Sequence, residues 1–417
     1  MKIKLLCCSF FFSLVFSIMT IFPQAVSCAT HPANGSDGPK GSLLLLRFPT
    51  LSKDKIAFEY GGELWVVDRT GGMAHRLVTG MDLLATPIFS PDGSMIAFTG
   101  TYDHNTDVYV VSSRGGEPTR LTYHPGPDVA VGWTPDGKDV LFRSHCYSDT
   151  DPDRLFTVPV TGGFPKELPL AMAETGSYSP DGSRIAYVPT FQWEPFWKGY
   201  RGGQTTPIWI ATLSNSSVVK IPREDANYND PMWVGDEIYY LSDEDGPITL
   251  FSYDLKSQKI SKLIDNKGFD ITSASAGPGG IVYSQFGQIH IYDFATGKSH
   301  PVPITVAGDL PQLRPRFEDV AGQITNYDIS PNGVRAVFEA HGDILTVPTK
   351  HGSIENLTSS PGVADRGPAW SPDGKWIAHF SDRDGEYDLY IRSQDGVGEP
   401  RKITLCFFRL KTEHFSA

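Results

Sequence analysis

One four-residue segment constrains this chain more than any other. Ser90-Pro91-Asp92-Gly93 returns as Thr134-Pro135-Asp136-Gly137, Ser179-Pro180-Asp181-Gly182, Ser330-Pro331-Asn332-Gly333 and Ser371-Pro372-Asp373-Gly374. Each is a tight-turn sequence. Proline fixes φ near about −65°, Asp or Asn bonds nearby backbone, and Gly accepts positive φ. Short apolar runs flank each copy, as in Pro87-Ile88-Phe89 before the first and Met95-Ile96-Ala97-Phe98 after it, which is a β-hairpin signal. The first three prolines stand at 91, 135 and 180, so the period is 44 to 45 residues. A repeat of this length holding several strands predicts a β-propeller.

A second landmark recurs later in each period, at Thr70-Gly71-Gly72, Arg114-Gly115-Gly116 and Thr161-Gly162-Gly163. Two landmarks in fixed order divide residues 43–305 into six blades. The fifth and sixth replace the proline turn with Val234-Gly235-Asp236-Glu237 and Gly277-Pro278-Gly279-Gly280. Alternating apolar residues such as Ile281, Tyr283, Ile289 and Ile291 supply the buried faces. Residues 306–322 interrupt the pattern and read as a linker. The pattern resumes over 323–405 with two blades, too few to close a ring, and 406–417 form an atypical tail. The expected fold is all-β: a six-bladed β-propeller followed by two blades of a truncated second β-propeller. The unpaired blades are expected to expose apolar faces and sheet edges from about residue 323 onward.

The N-terminus reads as a targeting segment. Lys2 and Lys4 precede an apolar run from Leu5 to Phe22, and small residues follow at Ala25-Val26-Ser27-Cys28-Ala29. Residues 1–29 therefore read as a secretory signal peptide, with export to a periplasmic or extracellular location. An uncleaved anchor, or a lipid on Cys28, is the alternative, and a membrane would be met only that way. Residues 30–42 are a polar linker. The 41 Gly and 32 Pro suit turns, and a net charge of −12 without basic runs disfavours nucleic acid. Five cysteines, with Cys7 and Cys8 in the signal and Cys28 at its boundary, are too few for a disulfide framework.

No Gly-x-Ser-x-Gly elbow, His-Glu-x-x-His, P-loop or zinc-type cysteine pair occurs. No catalytic, cofactor or metal residue is assigned, and no cofactor is expected. The acidic run Asp149 to Asp153 lacks the Gly and Glu of a calcium loop. Ser242 to Gly246 and Ser381 to Gly385 read as hairpin turns. The unusual stretch is an insertion in the fourth blade, Thr190 to Thr205. There Trp193, Trp197 and Tyr200 stand beside Lys198 and Arg201. Aromatics in this density pack an extended hairpin against a neighbour. The competing reading is a contact surface for a peptide or another domain, the cations meeting carboxylates.

These residues carry a resemblance. Trp197-Lys198-Gly199-Tyr200-Arg201-Gly202-Gly203, then Ile208-Trp209-Ile210, resembles the first propeller of the tricorn protease family, and Glu63-Leu64-Trp65 after Gly61-Gly62 is similar to its first blade. TolB-like propellers share only the Pro-Asp-Gly repeats. The resemblance implies the N-terminal part of an exported serine peptidase homologue, gating peptides toward a catalytic region that follows in the family. This chain is read as lacking that region and as inactive alone. Where the family places paired arginines for a substrate carboxylate, the chain has Tyr123 to Ala130. The resemblance leaves a homo-oligomer open. The alternative is a non-enzymatic TolB-like propeller that binds a protein partner in the cell envelope.

Overall fold

The computed structural model describes residues 44–403, except 82, 147–152, 191–198, 223–225, 309–318, 361 and 385–386. The residues read as a signal segment (1–29), as the first linker (30–42) and as the tail (406–417), and most of those read as the second linker (306–322), lie outside the described residues. What is described is almost wholly β-structure in eight sheets, antiparallel but for one added strand on the first, with a single 3-10 turn at Ala321–Gln323. Strands follow one another in chain order within each sheet.

The first strands of the first six sheets are Arg47–Leu51, Leu83–Phe89, Asp128–Trp133, Thr175–Tyr178, Tyr228–Val234 and Ile271–Gly277. Each touches the first strand of the next sheet, and Ile271–Gly277 returns to touch Arg47–Leu51. The first strands therefore ring a common axis. Side chains of a strand alternate between faces, so each second strand feeds two interfaces. Ile56 and Phe58 pack against Val282, Ile289 and Ile291 of the sixth sheet. Ala57, between them, packs with Ile96 and Phe98 of the second. The same alternation builds a cluster at every later junction. Each fully buried Phe, Leu or Ile contributes about 1.5–3 kcal/mol.

Closure has two devices. A fifth strand, Ile304–Val306, lies parallel on the outer edge of the first sheet, pairing Ile304 with Gly72 and Val306 with Ala74. Gly72 N–H donates to Pro303 O at 2.8 Å. Gly277 meanwhile sits so close to the first sheet that a Cβ there would lie 2.3 Å from Leu51 O. Arg69 crosses the same seam, donating to Pro278 O at 2.6 Å.

The repeated turns are built alike. Ser90 Oγ donates to Asp92 Oδ1 (2.6 Å) and accepts from Met95 N–H (3.0 Å). Asp92 Oδ1 accepts Ser94 N–H (3.0 Å), and Gly93 N–H donates to Ser90 O (2.8 Å). The other copies repeat this, with φ at the glycine between 66° and 74°. A degenerate copy occurs in the first sheet, where Ser52 Oγ accepts Lys55 N–H (3.0 Å) and donates to Asp54 Oδ1 (3.3 Å). Adjacent turns touch: a Cβ on Gly137 would lie 3.6 Å from Pro91, and one on Gly182 would lie 3.8 Å from Pro135.

A second periodic device has a plainer sequence mark, a proline inside a first strand. Phe48, Thr86, Asp230 and Gly367 each precede proline and have φ of 48°, 48°, 49° and 58°. Each sits at a register break in its strand. Innermost strands are sheet edges, so proline costs no ladder bond there, and the bulge accommodates it. Hydrogen bonds then run from sheet to sheet. Phe89 N–H donates to Thr50 Oγ1 (3.2 Å), Ala130 N–H to Thr99 Oγ1 (3.0 Å) and Trp233 N–H to Ser177 Oγ (3.0 Å).

The seventh and eighth sheets begin with Ile324–Ile329 and Asp365–Trp370. They share one small core of Val337, Ile344, Leu357, Trp370 and Ile377. Trp370 N–H donates to Asp328 Oδ2 at 2.8 Å, repeating the sheet-to-sheet bond of the ring.

Candidate functional site

The insertion emerges from the fourth sheet at the end of the ring opposite the proline turns. Trp193, Trp197 and Lys198 lie outside the described residues. Tyr200 and Arg201 stand in the foot by which the insertion returns to the sheet. Tyr200 is half-buried and folds over Gly202, where a Cβ would lie 2.2 Å from the tyrosine oxygen. Thr205 closes the turn on Gly202 O, through its N–H at 3.1 Å and its Oγ1 at 2.9 Å.

Arg201 is committed to a carboxylate of the chain itself. Its Nη1 lies 3.1 Å from Asp243 Oδ2, and its Nη2 donates to Asp243 O at 2.7 Å. Gly199 N–H reaches the same Oδ2 at 3.2 Å. Asp243 follows the strand Glu237–Ser242 of the fifth sheet and is only 2% exposed. Asn227 holds its other side, donating N–H to Oδ1 (2.9 Å) and Nδ2 to Oδ2 (3.0 Å). Burial pushes the Asp243 carboxyl up, but the bonds from Asn227 and Arg201 outweigh it and leave it below the usual carboxylate range. Thr206 completes the junction, donating N–H to Asn227 Oδ1 at 3.1 Å and Oγ1 to Asn229 Oδ1 at 3.1 Å. So Ser242 to Gly246 is a turn, with Gly246 N–H on Asp243 O at 3.3 Å, and also the anchorage of the insertion. The sequence holds no local mark of that second role, because Arg201 and Asp243 are 42 residues apart.

The same end carries an arginine–carboxylate pair in other sheets. Arg47 Nε lies 3.0 Å from Glu59 Oε2, and Arg120 Nη2 lies 2.7 Å from Asp107 Oδ2. Arg143 joins the third sheet to the fourth, with Nη1 2.8 Å from Glu174 Oε2 and Nε 3.5 Å from Asp153 Oδ2. His145 Nε2 lies 2.7 Å from Asp153 Oδ1. Burial, then the Asp153 charge, raises the Glu174 carboxyl above its ordinary value. These groups pair with one another at a mouth whose described rim is polar and braced. Among the described residues no group of three His, Cys, Asp or Glu could hold a metal, and no helix is long and apolar enough to cross a membrane.

Comparison with known proteins places this arrangement. A family model described as the tricorn protease N-terminal beta propeller domain matches residues 43–298. Tricorn protease homolog 1 of Streptomyces coelicolor is 26% identical over 357 residues, covering 84% of this chain and 33% of the relative. A tricorn protease homolog of Saccharolobus solfataricus is 25% identical, covering 84% and 32%. A shorter protein of Sulfurisphaera tokodaii, named a putative tricorn-like protease N-terminal subunit, is 23% identical over 160 residues, covering 37% of this chain and 80% of that protein. The crystal structure of the tricorn protease superposes with a TM-score of 0.57 at 20% identity, over 86% of this chain and 44% of that one. The chain thus spans about a third of the length of the long curated relatives it matches.

Proposed function

Because this chain belongs to the tricorn protease N-terminal β-propeller family, we propose that it is the peptide-gating part of an exported tricorn-type serine peptidase. The observation that carries the gating reading is the foot of the insertion. Arg201 and Asp243 fix residues 199–205, the foot of an insertion rich in aromatics by sequence, at one mouth of a ring of sheets. Braced loops on a rigid scaffold are where binding residues concentrate. Hydrolysis is assigned to a region outside these 417 residues, in keeping with the absence of a nucleophile elbow. The Sulfurisphaera relative, by its name an N-terminal subunit, supports a role for such a part as a separate chain. Export rests on Lys2, Lys4, the apolar run and the small residues before Ala29.

The test uses the purified chain after removal of residues 1–29. Fluorescent peptides are titrated for binding, a peptide library is followed by mass spectrometry, and a fluorophosphonate probe is applied in parallel. Saturable peptide binding without cleavage or labelling is expected. Cleavage that survives repurification would place a catalytic site within these sheets, and failure to bind any peptide would overturn the gating role.

A further inference from the structure

The bulges on the innermost strands share a backbone and differ in what they present. Phe48, Thr86 and Asp230 occupy the same left-handed conformation before proline in the first, second and fifth sheets. That conformation is disfavoured for a residue preceding proline and is strained for most side chains. Its recurrence makes it a property of the architecture. The residue placed there is a separate choice, and in the fifth sheet it is a carboxylate.

Asp230 is half-buried on a strand that touches the first strands of the fourth and sixth sheets. Its hydrogen bond from Ala274 N–H is long, at 3.4 Å, against about 2.7–3.2 Å for an ordinary N–H···O contact. No cation pairs with it among the described residues. The six innermost strands of the ring contain one basic residue, Arg47, and that one is paired with Glu59. Their other carboxylate, Asp128, is 1% exposed. The neighbouring strands bring Arg184 and Glu237, both at the turn end of the sheet. Arg184 lies over the Trp233 ring at 4.8 Å, and Glu237 pairs with Val234, about 13 Å along the strand from Asp230 at some 3.3 Å per residue. Asp230 is thus a carboxylate on an innermost strand of the ring with no cation of its own among the described residues.

We propose that Asp230 binds a protonated primary amine of a peptide lying along the axis of the ring. The carboxylate supplies a charge-assisted acceptor, and the adjoining first strand brings it no charged side chain: Thr272 and Ser273 are uncharged and share their hydroxyls with Ser284 at 2.7 and 2.8 Å. Burial raises the Asp230 carboxyl to about 6, so a cation is the ligand that would keep it ionised. This inference rests on the peptide-gating reading, and its test separates the two.

Three lysine-free or lysine-bearing peptides of one core sequence are titrated by fluorescence anisotropy: a free amino end, an acetylated end, and an acetylated end with one lysine. The wild-type chain is compared with Asp230→Asn, which keeps a side chain that tolerates positive φ. The free-amine or the lysine peptide is expected to bind about 10-fold tighter than the acetylated one, the gain of one charge-assisted bond. Which of the two does so identifies the source of the amine. Asp230→Asn is expected to remove the preference, and lowering pH from 8 to 5 to erode it in wild type only. Equal binding of all three peptides, or a preference that survives Asp230→Asn, overturns the assignment while leaving peptide gating intact. If no peptide binds, gating fails, and propylammonium decides the site alone. A rise in wild-type Tm that Asp230→Asn lacks supports it, and no difference between the two overturns it.

Discussion

The first six sheets and the last two use the same parts to different effect. Both regions have the Ser-Pro-x-Gly turn, the bulge before proline and the sheet-to-sheet hydrogen bond. In the ring, the first strand Arg47–Leu51 buries its last three residues against the sixth sheet and its neighbours. In the later pair, the corresponding strand Ile324–Ile329 is nearly all exposed, with Ile324 at 42%, Tyr327 at 69% and Ile329 at 59%. Nothing in the strand itself causes this. A sheet with two neighbours hides both faces, and among the described residues the seventh sheet has only the eighth. Propeller stability therefore lies in the junctions, one per pair of neighbours, as in other repeat architectures.

Breaking a junction tests that view most directly. Gly277→Ala puts a methyl group 2.3 Å from Leu51 O, backbone against which nothing can yield cheaply. A loss of about 3 kcal/mol is expected for such overpacking at a seam. Gly322→Ala, with open space around it, is expected to change stability by under about 0.5 kcal/mol. Denaturant melts of the two variants against wild type measure the contrast. Equal effects would mean that closure does not hold the ring.

The insertion's foot is the next largest expected effect. Arg201→Ala leaves Asp243 buried with Asn227 and Gly199 as its remaining partners. Losing bonds to a charged group costs about 1.5–3 kcal/mol, discounted here because Arg201 is about a third exposed. About 1–2 kcal/mol is expected, together with faster proteolysis in the insertion. Arg201→Ala combined with Asp243→Asn should recover part of the loss, since the uncompensated charge is gone. Additive losses in the double variant would show that the two residues act independently.

How legible this was depends on distance along the chain. The turns were legible because proline, Asp and Gly act within four residues, and the alternation of Ile281, Tyr283, Ile289 and Ile291 reports burial strand by strand. The hydroxyl that begins each turn was written there too, in Ser90 and Thr134, and the structure shows it binding both strands. The bulges had a mark, proline within a first strand, whose meaning depends on that strand being a sheet edge. Arg201 could be singled out as a cation in an odd stretch, but its partner is in the next sheet, and only the packing of sheets brings Asp243 to it. Ser52 to Lys55 escaped notice because a turn can keep its hydrogen bonds after losing both proline and glycine.

Exchange of backbone amides sharpens the comparison further. Amides of Ile324–Ile329 are expected to exchange at least about 10-fold faster than those of Arg47–Leu51 at neutral pH, since local opening follows local burial. Hydrogen–deuterium exchange with mass spectrometry resolves the two peptides. Equal protection would mean that the exposed face of the seventh sheet is covered in solution.

The smallest expected effect separates one turn of the ring from the turn of the seventh sheet by charge. Asp181 accepts from Ser179 Oγ, Ser183 N–H and Ser183 Oγ, and these bonds lower its carboxyl to about 2. Its folded value is thus below the unfolded value of about 3.9. A depressed carboxyl stabilises the folded state fully above the unfolded pKa, and that contribution disappears as pH falls through about 2. Asn332 makes the matching bonds to Ser330 Oγ (2.8 Å) and Val334 N–H (3.1 Å) with no charge to lose. Acid should therefore loosen the Asp181 turn between about pH 4 and pH 2, and leave the Asn332 turn's own bonds unchanged. Proton exchange at Ser183 and Val334, followed by NMR through this window, should show the first rising relative to its intrinsic rate and the second not. Asp181→Asn should make Ser183 behave as Val334 does, and a turn that still loosened in that variant would show that the carboxylate was not what held it.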